Sequence, residues 1–207
     1  MEPGLELLIL FVKHPLPGQT KTRLAAGIGQ IKALAAYQEM LVHLRKEAQR
    51  LEVPVVVFYG NKVPEQDLWS ETNWPRLLQA GRDLGDRMNH AFSWGKKQGY
   101  QRMVLVGSDI PGVQAELLRE AFDQLQHTDV VVGPSSDGGY YLIGLQEPRI
   151  ELFEEMSWST DQVLTKTLHR IQHHKMSLAL LREESDVDTV EDLPGTFLEH
   201  YYPSSKD

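Results

Sequence analysis

The sequence predicts an α/β fold with a largely parallel sheet, because strand-like and helix-like segments alternate along the chain. Four short apolar runs have the length and composition of buried strands: residues 5–12, 53–59, 102–106 and 130–133. A fifth β-rich run, 140–145, follows the fourth after only a few residues. A connection so short suits a hairpin and cannot hold a crossover helix, so we expect one antiparallel element in the sheet.

The remaining elements follow from periodicity and from start and stop signals. Apolar residues at helical spacing predict helices over four segments: about 31–51, 84–95, 115–125 and 163–171. Residues 77–80 and 177–181 are further strand candidates. Ser159 with Gln162, and Thr189 with Asp192, have the spacing of capping boxes that open a helix. We expect residues 201–207 to be a frayed tail.

Composition narrows the function classes. The 207 residues fit one large domain, which we assign to 1–207, and 41% hydrophobic residues provide an ordinary core. A net charge of −8 argues against a nucleic-acid partner but not against a nucleotide. The absence of cysteine excludes disulfides and thiolate metal sites. The first apolar run is too short for a signal peptide or a membrane span, so a cytoplasmic protein is expected.

Asp109 is the first candidate site residue. It follows the apolar run at 102–106, and Pro111 prevents that run from continuing as a central strand. The carboxylate is therefore expected just beyond the carboxyl end of a strand, where open α/β sheets bind ligands. The alternative is a turn aspartate that caps the helix beginning near Gln114.

A cationic loop follows the first strand and carries Lys13, Lys21 and Arg23. A loop that leaves a strand and enters a helix presents N–H groups to an anion, and Gly18 allows the backbone to approach closely. The P-loop spacing and the dinucleotide glycine pattern are both missing, which disfavours a P-loop kinase and a redox cofactor. Alternatively, these side chains are solvated loop charges. In either case we expect them to be exposed, so that replacing Lys21 or Arg23 leaves thermal stability unchanged.

Further carboxylates occupy comparable positions. Asp137 precedes two glycines in a predicted hairpin turn and is a candidate for both a turn role and a ligand role. Asp186 and Asp188 follow the last strand and lie on the same side if the segment is extended. Asp188 with Asp109 has the donor chemistry of a magnesium site, although Asp188 is also a candidate helix cap. Arg87 is interpreted as an exposed helix arginine.

Several segments together resemble a known family. They are Phe11–Pro15, Lys21–Leu24, Gly107–Pro111, Gly133-Pro134, Asp137–Gly144, Trp158–Thr160 and Asp186–Thr189. In this order they resemble the selenodomain-associated transferases of the GT-A glycosyltransferase superfamily, which are similar in turn to phospholactate and molybdenum-cofactor guanylyltransferases. The resemblance implies a three-layer α/β/α, Rossmann-type mixed sheet.

The resemblance also implies the roles of residues. Lys21, Arg23 and Asp109 would be catalytic, and Asp109 with Asp188 would bind Mg²⁺ or Mn²⁺. The nucleotide would be bound by a larger set: Lys13, Pro17, Gly18, Lys21, Thr22, Arg23, Asp137, Gly138 and Gly139. The partners would be a nucleoside triphosphate or a sugar nucleotide and an acceptor that the sequence does not identify.

Two questions stay open at the level of sequence. Glycosyltransferases of this superfamily usually carry Asp-x-Asp at the metal strand, whereas here a single carboxylate stands in Ser108-Asp109-Ile110-Pro111. That departure favours nucleotidyl transfer, whereas the family name favours glycosyl transfer. No dedicated general base is identifiable, so the alternative is a non-catalytic nucleotide-binding or partner-binding module on the same fold.

Overall fold

The computed structural model describes residues 5–203, and within them seven strands form a single sheet in the order β3-β2-β1-β4-β6-β5-β7. The strands in chain order are β1 Glu6–Val12, β2 Val55–Tyr59, β3 Arg76–Leu78, β4 Arg102–Gly107, β5 Val130–Pro134, β6 Tyr140–Leu145 and β7 Leu178–Leu180. All neighbouring pairs are parallel except those that involve β6, which runs antiparallel to both β4 and β5. The predicted mixed sheet and its antiparallel hairpin are confirmed.

Five helices cover the two faces of the sheet: α1 Thr22–Ile28, α2 Gln30–Arg50, α3 Leu84–Lys97, α4 Ala115–Gln124 and α5 Val163–His173. The core on one face packs α1, α2 and α4 against the sheet, and the core on the other face packs α3 and α5. Single 3₁₀ turns occur at Ile150–Leu152, Val190–Asp192 and Glu199–Tyr201. The predicted three-layer α/β/α arrangement is therefore confirmed.

β1 illustrates why the central strands of this sheet have continuous apolar sequences. Leu8, Leu10 and Val12 belong to the core on one face, and the alternate residues Leu7, Ile9 and Phe11 belong to the core on the other. A central parallel strand is buried on both faces and has no polar side, so it reads as an unbroken apolar run. At its carboxyl end Phe11 pairs with Gly107 of β4 and Val12 pairs with Tyr59 of β2. The segments that follow β1 and β4 therefore leave the sheet side by side.

Some local expectations are corrected. The long predicted helix is preceded by a separate helix, α1, and the two meet at Gly29, which has a φ of 86° that glycine adopts without strain. The capping box at Ser159 is wrong, since α5 begins at Val163 and has no side-chain cap. The capping box at Thr189 is confirmed.

Residues 1–4 and 204–207 lie outside the described part of the chain. Of the predicted frayed tail, Tyr201 ends a 3₁₀ turn, and its hydroxyl donates a hydrogen bond to Glu39 at 2.6 Å. None of the described helices combines the length and the apolar character that crossing a membrane requires. The assignment of residues 1–207 to a single domain stays a prediction.

Candidate functional site

A cleft of about 750 Å³ opens at the carboxyl edge of the sheet, where β1 and β4 end next to each other. Its walls come from the loop after β1, the loop after β4, the β5–β6 turn, the start of α3 and the segment after β7. The strand order explains the location, because β1 connects outward to β2 and β4 lies on its other side. Ligands of open α/β sheets bind at such a switch point.

Lys21 and Asp109 meet in this cleft. The Lys21 Nζ lies 3.0 Å from Asp109 Oδ1 and donates a hydrogen bond to the Val187 carbonyl oxygen at 2.6 Å. The Lys21 side chain is only 6% exposed, so the expectation that it is a solvated loop cation is wrong. Its backbone is left-handed, with φ 52° and ψ 45°, a conformation that costs a lysine about 1–2 kcal/mol. The contacts of the side chain therefore hold the loop in a strained turn.

Asp109 occupies the position predicted for it and is not a helix cap. The N-cap of α4 is Gln114, and it forms no side-chain cap. The first N–H of that helix, at Ala115, is bound instead by the buried carboxylate of Glu47 at 3.0 Å. The Asp109 carboxylate, which is about half exposed, is therefore available to the cleft.

Arg23 and Asp188 form a second pair across the same cleft. The guanidinium Nη1 lies 2.8 Å from Asp188 Oδ2, and the arginine side chain is 78% exposed, as expected. The alternative role of Asp188 as a helix cap is wrong, because Thr189 occupies the cap position of the following turn. The Asp188 N–H donates to the Asp192 carboxylate, which fixes the backbone and leaves the Asp188 side chain to the cleft.

Asp186 and Asp188 both line the cleft, and Val187 between them is fully buried. This confirms that the two carboxylates lie on one side of an extended segment. Burial, and then the negative charge of Asp137, raise the pKa of Asp186, with a smaller contribution from Asp109. Its carboxyl group therefore experiences the negative potential of the neighbouring carboxylates.

The carboxylates have the donor chemistry of a site for Mg²⁺ or Mn²⁺. Within residues 5–203, no group of three or more His, Cys, Asp or Glu side chains is arranged to enclose a metal ion. Magnesium usually binds through one or two carboxylates together with water and substrate phosphates, so a site of two aspartates is sufficient. Asp109 and Asp188 fit this requirement, and Asp137 and Asp186 place two more carboxylates on the same cleft wall. In the structure, each of the two candidate ligands, Asp109 and Asp188, forms an ion pair with a cation of the loop after β1.

Tyr37 is a site residue that the sequence did not reveal. Its hydroxyl shares a hydrogen bond of 2.9 Å with Ser108 Oγ and accepts one of 2.9 Å from the Lys13 N–H. Burial, and then the charge of Asp109, raise its pKa, so the hydroxyl stays protonated. The side chain comes from α2 and joins the ends of β1 and β4. Helical periodicity predicts only that such a residue is buried, and no local signal marks its hydroxyl.

Replacing Tyr37 by phenylalanine is expected to destabilise the protein by about 1–3 kcal/mol, because buried polar groups at Ser108 and Lys13 lose their partner. Chemical denaturation measures this loss. Tyr202→Phe, at an exposed tyrosine, is the control and should have no effect. If the hydroxyl pair is real, Ser108→Ala combined with Tyr37→Phe should cost less than the sum of the single changes; strict additivity would contradict the contact.

The glycine turn has the turn role proposed for Asp137, and its ligand role stays a prediction. The Gly139 N–H donates to Asp137 Oδ1 at 2.9 Å, which stabilises the hairpin, and both residues line the cleft. Gly138 has φ 85°, and a Cβ there would lie 2.4 Å from the Asp161 carbonyl oxygen. Gly138 therefore allows the turn to pack on the segment before α5 and does not itself form part of the cleft wall.

Only some residues of the cationic loop line the cleft. Lys13 and Thr22 line the cleft together with the two cations described above. Pro17 and Gly18 are exposed residues away from the wall. Pro17, Gly18 and Gly138 therefore do not line the cleft, and their role in nucleotide binding stays a prediction.

Arg87 lines the cleft, contrary to its interpretation as an ordinary exposed helix arginine. It lies in the first turns of α3, next to Leu84 and Met88, which are also on the wall. Gln79 and Trp158 line the cleft as well; Trp158 belongs to a segment that carries the family resemblance, whereas Gln79 was part of a strand candidate only. The face that α3 presents depends on its packing, so helical spacing alone did not reveal this wall.

Comparison with known proteins agrees with this architecture. The family model described as an uncharacterized protein conserved in bacteria, DUF2064, matches residues 43–160. Among solved structures, a protein from Desulfovibrio desulfuricans G20, provisionally named a nucleotide-diphospho-sugar transferase, is 30% identical. The match has a TM-score of 0.87 and covers 96% of this chain and 94% of that one. No curated protein matches the sequence.

More distant structures share the fold alone. The inositol-1-phosphate CTP transferase from T. maritima is 15% identical, with a TM-score of 0.53, and the match covers 95% of this chain and 96% of that one. A Mycobacterium tuberculosis H37Rv protein in complex with manganese is 14% identical, with a TM-score of 0.54 and coverage of 97% and 100%. The chain therefore has the fold of the nucleotide-diphospho-sugar transferases, as the sequence predicted.

Proposed function

The chain belongs to the DUF2064 family, and from this membership and the geometry of the cleft we propose a metal-dependent transferase that acts on a nucleotide-activated substrate. The proposal includes a single transferase domain spanning residues 1–207, of the selenodomain-associated type. The related structures support it in outline, since one is a CTP transferase and another binds manganese. A cytoplasmic location and the absence of a nucleic-acid partner stay predictions.

One observation carries the proposal. Two cations of the loop after β1 meet two carboxylates at the mouth of one cleft, Lys21 at Asp109 and Arg23 at Asp188. These pairs bring together the groups that phosphate and a divalent cation require, and each pair neutralises itself when no ligand is bound. A metal-bound nucleotide matches both halves, because its phosphates attract the cations and its metal attracts the carboxylates. If these residues were only a cluster of solvated charges, Lys21 would not be expected to be buried or to adopt a strained backbone conformation.

We propose nucleotidyl transfer as the reaction. An acceptor oxygen forms a bond to the α-phosphorus of a nucleoside triphosphate. The bond from that phosphorus to the oxygen that bridges to the β-phosphate breaks, and pyrophosphate leaves with the electron pair. The loop after β4 supports this choice over glycosyl transfer, because it supplies one carboxylate, Asp109, and continues into Ile110, which is buried.

The chain's own residues bind and orient the phosphates in this proposal. Lys21 and Arg23 stabilise negative charge on the transferring and leaving phosphates, and Lys13 adds a third cation at the same wall. Asp109 and Asp188 would hold the divalent cation, which supplies further stabilisation of phosphate charge when it is bound. Tyr37 positions the Asp109 loop through Ser108.

A donor panel tests the reaction class. The purified protein is incubated with each nucleoside triphosphate or with sugar nucleotides, together with Mg²⁺ or Mn²⁺ and a mixture of small phosphorylated and hydroxylated acceptors. Release of pyrophosphate is the expected result. Release of a nucleoside diphosphate from a sugar nucleotide would overturn nucleotidyl transfer in favour of glycosyl transfer.

The remaining alternative is a non-catalytic nucleotide-binding module. It predicts tight nucleotide binding by calorimetry with no donor consumption for any pair on the panel. Donor consumption that stops when a chelator is added excludes that module and supports the dependence on a metal.

A further inference from the structure

The cleft has a second part with a different chemistry. We call it the inner pocket and define it by six lining residues: Leu84, Arg87, Met88, Tyr140, Trp158 and Val163. They come from the start of α3, the start of β6, and the segment that leads into α5. Met88 belongs to the core on the α3 face of the sheet, and Tyr140 and Trp158 pack against that core. The inner pocket is therefore mostly apolar, in contrast to the charged mouth.

Arg87 is the only fixed charge in the inner pocket. Across residues 5–203, no Asp or Glu lies within ion-pair distance of its guanidinium, whereas the cleft cations Lys21 and Arg23 each have one. Among the described residues, its guanidinium forms a single hydrogen bond, a long one of 3.4 Å from Nε to the Gly81 carbonyl oxygen. An arginine fork on a concave and largely apolar wall, with its donors unused, is suited to an oxyanion.

The indole of Trp158 forms an aromatic wall of the inner pocket. A Cβ on Gly85 would lie 2.8 Å from Trp158 Cζ2 and 2.9 Å from the Phe153 carbonyl oxygen, so a glycine is required for the indole to pack on α3. The indole N–H is buried and has no hydrogen-bond partner among the described residues. Packing against Gly85 in the first turn of α3 fixes the position of the Trp158 indole, which lines the same cleft as Arg87.

The apolar side chains of the pocket are incompletely covered. Leu84 is 42% exposed although it lies on a concave wall, while Met88 and Val163, which line the same cleft, are buried. A ligand with an apolar body would cover Leu84 and remove its surface from water, which stabilises a complex by about 25 cal/mol per Å² of apolar area. Inorganic phosphate alone would not gain this contribution.

We propose that the inner pocket binds the acceptor, and that the acceptor is a small molecule with an ionised phosphate or carboxylate group attached to an apolar body of about the size of one ring. Arg87 binds the anionic group, and Leu84 and Trp158 contact the apolar body. The assignment of this ligand as the acceptor rests on the proposed function. The chemistry of the ligand is inferred from the residues of the inner pocket alone.

The proposed ligand does not depend on a histidine or a tyrosinate acting as a general base. Among the described residues that line the cleft there is no histidine, and Tyr37 stays protonated because burial raises its pKa. An acceptor that attacks through an oxygen that is already ionised requires no general base. A simple alcohol would require one.

Binding of simple probes tests the proposal without knowledge of the natural acceptor. Phenyl phosphate, benzoate, phenol and inorganic phosphate are titrated into the full-length protein, and binding is followed by ligand-observed NMR. We expect phenyl phosphate or benzoate to bind more tightly than phenol and inorganic phosphate, and the better of the two identifies the anion. Equal binding of phenol and phenyl phosphate would overturn the role of Arg87.

Arg87→Gln provides the decisive variant. It keeps a hydrogen-bonding side chain, although a shorter one, and removes the charge, and we expect the dissociation constant of the preferred probe to rise about tenfold or more. Arg87→Lys should retain part of the affinity, since the charge is kept and the fork is lost. Arg82→Gln is the matched control. Arg82 is close in sequence, exposed, and paired with Asp86, and its replacement should have no effect.

The outcomes separate this proposal from the proposed function. Wild-type affinity for the probe in Arg87→Gln, or an equal loss in Arg82→Gln, would overturn the inner pocket as the anion site. Probe binding that depends on Arg87, together with no turnover on any donor panel, would overturn the transferase and leave the pocket intact. Nucleoside triphosphate affinity should be unchanged in Arg87→Gln, because the triphosphate is expected at Lys21 and Arg23.

Discussion

Replacing Asp109 by asparagine is expected to lower transferase activity by about 100-fold or more, the scale seen when one electrostatic contact to a transition state is removed. The amide keeps nearly the same volume but loses the charge that attracts both Lys21 and a divalent cation. The carboxylate is about half exposed, but the Lys21 ammonium group that it pairs with is buried, so stability should fall by about 1–3 kcal/mol while the native fold is retained. Activity and folding are therefore expected to separate.

Steady-state assays at saturating Mg²⁺, together with thermal denaturation, measure the two effects. Asp123→Asn is the matched control, since it makes the same change at an exposed residue of α4 away from the cleft. The metal dependence provides a second measurement: Mn²⁺ binding followed by electron paramagnetic resonance should weaken in Asp109→Asn and stay unchanged in the control. Wild-type activity in Asp109→Asn would show that Asp109 is only a turn residue.

Lys21→Met should change nucleotide binding and metal binding in opposite directions. Loss of a charge-assisted contact to phosphate is worth roughly 1.5–3 kcal/mol, so the dissociation constant of the nucleoside triphosphate should rise about tenfold or more. In the absence of nucleotide, Mn²⁺ should bind more tightly, because Lys21 lies 3.0 Å from the Asp109 carboxylate and competes with the metal for it. A purely structural role of Lys21 would weaken both.

Calorimetry with the triphosphate, at low and at moderate salt, and Mn²⁺ titration without nucleotide are the measurements. Lys32→Met, at an exposed lysine of α2, is the control. Because the Lys21 side chain is buried and its ammonium group binds the Val187 carbonyl, the variant should also lose about 1–3 kcal/mol of stability. This corrects the expectation, from sequence, of unchanged stability. Unchanged nucleotide affinity would contradict the phosphate-binding role of the loop.

Sequence by itself determined the elements that depend on local pattern. β1 and β4 are apolar on both faces, so their runs are continuous and their ends are visible in the sequence. Asp109 was found because β4 ends at Gly107 and Pro111 prevents further pairing. The antiparallel β6 followed from the short turn at Asp137, because no crossover fits into so few residues.

The same reasoning identified the charged residues at the strand ends but not their partners. The pairing of Lys21 with Asp109, and of Arg23 with Asp188, depends on β1 lying next to β4 and on the course of the chain after β7. Strand order is a property of the assembled sheet, and the period of a single strand carries no information about it. The burial of Lys21 depends in turn on a left-handed backbone that a lysine rarely adopts.

The inner pocket could be identified only from the tertiary structure. Arg87 and Trp158 are distant in sequence, and each has an ordinary local explanation, as an exposed helix residue and as part of a loop. The structure brings both to one cleft: α3 packs Gly85 against Phe153 and Trp158, and Arg87 follows two residues later in the same helix. Helical periodicity determines which residues share a face, but the packing of the helix against the sheet determines what that face contacts.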